Sequence, residues 1–424
     1  MSLKVRCLYP ILLRHGSYFR YRFLRYAPGP GFTALSAEAC PPRYRHVLHG
    51  NSRLSIQELP SDPAVLEAAW DRLGVPGRFE PAGCGCTLLY DARYGMFLMD
   101  FRLELSLEPP GPGADPVPHL ALQDRLRELL VLDPRVDTVP CGWAQSLQDQ
   151  SLAVVRAELA AHIDPEMIAV PPSMGYIISA FPDAAEVLPA AVLEQAVARF
   201  HSGDRLAERV PQMAKLPLAV HGGVTFLGWQ SSTMWGIPEE AVDELCPVFL
   251  TIQLIYTLYS AYFLAQTEDL FEEIFYYDEE RFRHLQTRTD RMLILVDKTI
   301  HDKDVFESKL RPGQQAVFES LWGYWGMQRM LDACEHSLNS SKRSLEMNIN
   351  IIHEKMGERQ NNLLFILAII QIVAMMGVIN DYLALNDRFD IISLFILGTL
   401  IVVTAVVFIF SYYERIVSRF RPPN

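Results

Sequence analysis

The stretch QIVAMMGVINDYLALNDRFDIISLF, residues 371–395, contains the end of one apolar run and the start of another. The first run extends from Leu363 to Ile379, with Gln371 as its single polar side chain and no charge. The second extends from Ile391 to Phe410, again without charge. A helix rises about 1.5 Å per residue, so roughly 20 such residues span a hydrocarbon core of about 30 Å. The second run has that length, and the first reaches it once Gln360, Asn361 and Asn362 are counted at headgroup level. Helices of soluble cores carry one apolar and one polar face, whereas both runs are apolar all round. Region 362–412 therefore reads as a two-helix transmembrane hairpin, with spans at 362–380 and 391–410.

The flanking charges orient the hairpin. Lys355 and Arg359 precede the first run; Arg415, Arg419 and Arg421 follow the second, with Tyr412 and Tyr413 at the boundary. The connecting loop carries Asp381, Asp387 and Asp390 against Arg388. Lys and Arg accumulate on the cytoplasmic side of a span. Both termini, including a basic tail at 413–424, are thus expected in the cytoplasm. The acidic loop is expected outside a cell (inner) membrane that the chain crosses twice, in contact with lipid. The first 26 residues are basic, but they are expected to fold with the domain rather than act as a targeting leader. A third charge-free segment, CPVFLTIQLIYTLYSAYFLAQ (246–266), is flanked by Asp243, Glu244, Glu268 and Asp269 and contains Thr251, Gln253, Thr257 and Ser260. With no basic anchor and this much polarity, it reads as a buried helix.

The remainder divides by composition. Residues 1–240 mix helical and strand periodicity and are expected to form an α+β cytoplasmic domain; 241–361 read as helical stalks. Around Ala92-Arg93-Tyr94-Gly95, residues 87–108 form a hairpin pattern in which Met99, Phe101, Leu103, Leu105 and Leu107 alternate with Asp100, Arg102, Glu104 and Ser106. That period predicts one buried face. Segments 174–181 and 224–230 are further strand candidates, and 63–73, 120–132, 146–162 and 184–200 have helical spacing. Residues 108–118 and 170–174 carry the Pro and Gly of loops. In SYFRYRFLRY (17–26), Phe19, Tyr21 and Phe23 alternate with Arg20 and Arg22, the period of a strand with a basic face. Arg20 and Arg22 are candidate contacts for an anion such as a nucleotide or lipid headgroup.

Several function classes are disfavoured. A net charge of −12 argues against nucleic-acid binding. The 7 cysteines are scattered, without the paired spacing of a zinc site. No phosphate-cradling glycine loop, HExxH or nucleophile elbow occurs, so no enzyme and no cofactor is expected. The HGGV at His221 reads as a turn between strands.

After the break at Pro312-Gly313, apolar residues recur at Val317, Leu321, Tyr324, Leu331, Cys334, Leu338, Leu345 and Ile349, with Gln328 as an exception. This is one face of a helix expected to continue from about 314 through the first span at ~100 Å if unbroken. A helix that long needs partners along its length, so self-association is expected.

This layout resembles the CorA family of divalent-cation transporters. Its members have an N-terminal cytoplasmic α/β domain, a long stalk helix leading into the first of two membrane helices, and a basic tail. The resemblance implies a homopentameric channel for Mg²⁺ or a similar divalent metal ion, with the first membrane helices lining the pore. The family carries Gly-Met-Asn at the outer end of that helix. Here Asn380 falls where the signature Asn stands, and Val378 and Ile379 replace Gly and Met. Asn380 and Asp381 are the candidate ion-selecting residues: a ring of amide oxygens can bind a hydrated cation, and a ring of carboxylates concentrates it. Helical spacing places Asn361, Leu364, Ala368, Gln371, Met375 and Val378 on one stripe, the candidate pore lining. Glu272, Glu273 and Asp278 are candidates for a regulatory cation site, with a solvated helix face as the alternative. A different class also fits: a signal-activated membrane effector whose N-terminal domain binds a ligand and whose hairpin then permeabilises the membrane.

Overall fold

In the computed structural model the described residues are 2–14, 29–36, 40–41, 43–44, 54–62, 64–68, 78–79, 83–106, 142–170, 175–182, 218–228, 231–264, 267, 270, 279–385, 398 and 401. The chain forms two units: Met1–Tyr276 with Thr287–Lys342, and Tyr277–Gln286 with Arg343–Asn424.

The first unit is built on a mixed sheet. Its strands are β1 (Ser2–Leu13), β2 (Thr33–Ala34), β3 (Leu54–Leu59), β4 (Arg78–Phe79), β5 (Gly85–Asp91), β6 (Met96–Ser106), β7 (Ile168–Ala169), β8 (Tyr176–Phe181), β9 (Leu218–Val220), β10 (Gly223–Leu227) and β11 (Ser231–Trp235). The order is β2-β3-β5-β6-β1-β8-β11-β10-β9, with β4 on β6 and β7 on β1. The β8–β11 pair is parallel and every other pair antiparallel. The helices are α1 (Gly142–Leu159), α2 (Glu239–Thr257, continued by a π-helical turn over Leu258–Phe263), α3 (Glu279–Glu307), α4 (Pro312–Tyr324) and α5 (Met327–Leu385).

The β5–β6 hairpin turns through Ala92–Gly95 as its sequence predicts, with Gly95 at φ 64°. Bidentate pairing of Arg93 with Asp91 closes the turn, and Lys298 Nζ of α3 donates to the Arg93 carbonyl at 2.9 Å. His221 and Gly222 (φ 51° and 82°) make the two-residue turn between β9 and β10, the left-handed pair that a tight hairpin needs. The HGGV segment is thus a turn. The strand expected at 17–26, with Arg20 and Arg22, and the helices expected at 120–132 and 184–200 lie outside the described residues.

The expected single buried face holds over the second half of β6, where Phe101, Leu103 and Leu105 are buried and Arg102, Glu104 and Ser106 half-buried, but not over the first half. Met96 to Phe101 are all buried, because this part of the sheet is covered on both faces. On one face the Tyr176 ring stacks on Phe249 of α2 at 5.7 Å and meets Trp325 edge-on at 5.4 Å. On the other, α1 packs against β3 and β6, with Ser151 toward Cys86. Burial pushes the Cys86 thiol up to about 12. Asp100 is consequently enclosed. Arg6 of β1 clamps it with Nε to Oδ1 at 2.6 Å and Nη2 to Oδ2 at 2.7 Å, and the Tyr44 hydroxyl donates to Oδ2 at 2.5 Å. The Arg6 guanidinium lies over the Tyr44 ring at 5.3 Å. Burial opposes the Arg6 charge, but the Asp100 carboxylate outweighs it and holds the arginine more firmly protonated than usual. Burial, then Asp100, raises the Tyr44 phenol, so it stays a donor.

The stalk also departs from expectation. No helix runs unbroken from 314. α4 ends at Tyr324 and α5 begins at Met327, because Gly326 takes a left-handed φ of 62°. The break resets the helical phase, so Met327 rather than Gln328 enters the buried seam, ahead of Leu331, Cys334, Leu338, Ser341 and Leu345. α3 buries Phe282, Leu285, Thr289, Met292, Val296 and Thr299 at the same alternating spacing of three and four. In the first unit Lys342 of α5 pairs with Asp290 of α3 at 2.8 Å.

Replacing Asp100 with Asn leaves a buried guanidinium without its counter-charge, and about 3–5 kcal/mol of stability is expected to be lost. The paired change Arg6→Met with Asp100→Leu is expected to recover most of it. Thermal melting followed by tryptophan fluorescence checks both, and a double variant no more stable than Asp100→Asn would refute the charge argument.

Candidate ion pathway

Among the described residues two helices are long and apolar enough to cross a membrane: Glu239–Phe263 and Met327–Ile379. Their surroundings differ. The most apolar window of the first is 78% buried inside the structure, and that of the second is 0% buried. α2 is therefore a core helix, as its polar content suggests. Its Pro247 has no N–H for the Asp243 carbonyl. At the next carbonyl, that of Glu244, Gln314 Nε2 of α4 donates at 2.6 Å.

In α5 beyond Gln360 the apolar side chains are exposed around most of the helix. Leu363, Leu364, Ile366, Leu367, Ile369, Ile370, Val373, Met376 and Val378 are all exposed. The backbone of this segment satisfies its own hydrogen bonds, which is the requirement for a chain surrounded by hydrocarbon. α5 has 59 residues, giving it a length of about 88 Å. It does not stop at Asn380 and Asp381 but continues to Leu385, so these two residues lie within the helix rather than capping it. Their side chains, the span at 391–410 apart from helical, exposed Gly398 and Ile401, and the acids Glu272, Glu273 and Asp278 lie outside the described residues.

The predicted stripe divides into two columns. Leu364, Gln371 and Val378 follow each other at seven-residue intervals and are exposed, as is Asn361. Ala368 and Met375 are half-buried, together with Phe365, Ile372 and Ile379. A step of three residues turns a helix by about 300°, so the two columns are offset by about 60°. Gln371 therefore does not share the half-buried face. Its side chain makes no hydrogen bond among the described residues. A primary amide exposed to hydrocarbon costs about 2 kcal/mol or more, so this position calls for a facing helix or an aqueous path. Among the described residues no cluster of His, Cys, Asp and Glu is arranged to hold a metal ion.

The sequence reading did not identify the charged row on the sheet. Glu58, Thr87, Asp100, Leu8 and Tyr176 are successive cross-strand neighbours, as are Arg102, Arg6 and Ile178, so all share the face under α2. The available signal was the charged pair Asp100 and Arg102 in a strand that also carries Glu104.

No known protein family matches the chain, and no curated protein or solved structure matches it.

Cysteine placed at Leu364, Gln371 or Val378 is expected to react with a membrane-impermeant cationic thiol reagent in reconstituted vesicles. Cysteine at Ile366, Ile370 or Val373 is expected to stay protected. Equal labelling of both sets, read by mass spectrometry, would eliminate the aqueous column.

Proposed function

We propose that the chain is one subunit of an oligomeric, CorA-like membrane channel for divalent metal cations. The observation that carries this reading is α5, a continuous helix whose apolar part is exposed around most of its circumference, half-buried on one face, and passes through Asn380 and Asp381 to Leu385. Several copies set side by side would cover that apolar surface with one another and with lipid. The exposed column of Leu364, Gln371 and Val378 would then face a shared axis. Gln371 would supply a ring of amides in an otherwise apolar passage, and Asn380 and Asp381 a ring of oxygens at its end. Mg²⁺ dehydrates reluctantly, and neutral amide oxygens suit the binding of its hydrated form. The charge pattern favours a hairpin in the inner membrane with both termini cytoplasmic, 391–410 returning across the bilayer, and the first unit acting as a cytoplasmic gating domain. A pentamer is what the family resemblance implies.

Reconstitution in liposomes with ion-sensitive dyes tests the proposal. Wild-type protein is expected to admit Mg²⁺ or Zn²⁺ selectively over monovalent ions. Asn380→Ala is expected to reduce that flux to the level of empty liposomes while the oligomer, measured by light scattering, stays intact. Undiminished flux would remove Asn380 from the pathway. A nonselective leak would replace the transporter with a membrane-permeabilising effector.

A further inference from the structure

On the sheet face that holds Arg6 and Asp100, a second arrangement surrounds a single carboxylate. Arg102 Nη2 donates to Glu58 Oε2 at 2.8 Å, and Thr87 Oγ1 donates to the same oxygen at 2.7 Å. Arg43 Nη2 lies 3.7 Å from Glu58 Oε1. The Arg43 guanidinium also lies over the Tyr44 ring at 5.1 Å, on the residue that bonds Asp100. Two guanidiniums and a fully buried hydroxyl thus converge on one anionic group, with the Arg6–Asp100–Tyr44 cluster beside them.

The carboxylate does not use what the site offers. A guanidinium presents Nε–H and Nη–H as a fork for two oxygens. Glu58 engages one nitrogen of each arginine, and among the described residues Arg43 Nε and Arg102 Nε are buried with no acceptor, as is Arg6 Nη1. Buried donors without acceptors are rare because each has lost its water. The charges are also unequal. Among the described residues, Arg6, Arg43 and Arg102 pair with the two carboxylates Asp100 and Glu58, while Lys4 in the next row is taken up by Glu104 and Glu239. Glu58 is the most exposed member, at 53% against 29% for Arg102 and 21% for Arg43, so its side chain is the one that can leave.

We infer that this cluster is a phosphate-binding site whose anion position Glu58 fills internally. The ligand is inorganic phosphate or the phosphate of a small phosphorylated molecule. Its tetrahedral oxygens accept from both forks at once, giving Arg43 Nε and Arg102 Nε acceptors, and Thr87 supplies a further donor. Glu58 swings to solvent. The inference stands apart from the ion-pathway reading and survives its failure.

Calorimetric titration of the full chain in detergent micelles, at constant ionic strength, uses inorganic phosphate and adenosine 5′-monophosphate as probes. Glu58→Gln removes the competing charge and is expected to tighten binding at least fivefold over wild type. Adding Arg102→Gln to that variant is expected to weaken it at least tenfold. Tighter binding of the nucleotide identifies a phosphorylated small molecule, and tighter binding of the free ion identifies phosphate itself. The proposal is overturned if neither probe binds Glu58→Gln, or if binding survives the loss of Arg43 and Arg102. If Glu58→Gln does not fold, melting of wild type and Arg102→Gln decides. A phosphate-dependent rise confined to wild type supports the site, and an equal rise or none in both overturns it.

Discussion

The difference between α2 and α5 depends on where apolar side chains are placed relative to water. Both are long and apolar enough to cross a bilayer. In α2 the apolar residues lie on the sheet and against α4, and Thr251, Gln253 and Thr257 are buried with them. In α5 beyond Gln360 no described residue is fully buried, and leucines, isoleucines and valines are exposed around all but the one half-buried face. At about 25 cal/mol per Å² of apolar surface, such a helix is not stable in water. Hydrocarbon or neighbouring copies must replace the missing core. That requirement, more than any single residue, favours a membrane function.

The first unit solves the opposite problem. Its central strands are covered on both faces, so a polar side chain within them cannot reach bulk water. Arg6 and Asp100 are tolerated there because the pair is bidentate and the Tyr44 phenol satisfies a further acceptor site on the carboxylate. The same face becomes less enclosed toward β3, where Glu58 is half-exposed. The sheet therefore grades from an enclosed ion pair to an accessible one within two strands. A ligand site is most plausible physically at the accessible end, where donors are already desolvated but one anion can still be exchanged.

Much of this arrangement was legible in the sequence, and the omissions have physical reasons. The β5–β6 hairpin, β8, β10, α1 and the buried α2 followed from periodicity and turn residues. β1 was not identified because Ser2–Leu13 lies in a sheet covered on both faces, which erases the period-two alternation. The one-faced pattern of β6 holds beyond Phe101 but fails before it: Asp100 registers as polar, yet it is enclosed through its partner on β1, a contact between residues far apart in sequence. The sequence reads as a continuous stalk past 314, and only the left-handed backbone of Gly326 shows that one helix stops there and the next is re-phased. Within the candidate pathway, spacing alone grouped Ala368 and Met375 with Gln371. Separating the two columns required knowing which face is half-buried.

The continuation of α5 past Asn380 has an electrostatic consequence. The last turn of the helix holds no basic residue, and Asp381 directly precedes it. Carbonyls at a helix C-terminus carry a partial negative charge, so a carboxylate there is unfavourable by about 0.3–1 kcal/mol. Asn is also a poor residue for a helix interior. Local helix energetics therefore favour neither residue in its place. Under the ion-pathway reading these costs become attractions. A cation at the end of α5 would meet the helix C-terminus, the Asp381 charge and the Asn380 amide oxygen together, and in a symmetric assembly each copy would add its share. The field would concentrate cations at the mouth without a fixed cage of carboxylates. Such weak, multiple attraction is what conduction requires, because an ion held too tightly at the entrance does not move on.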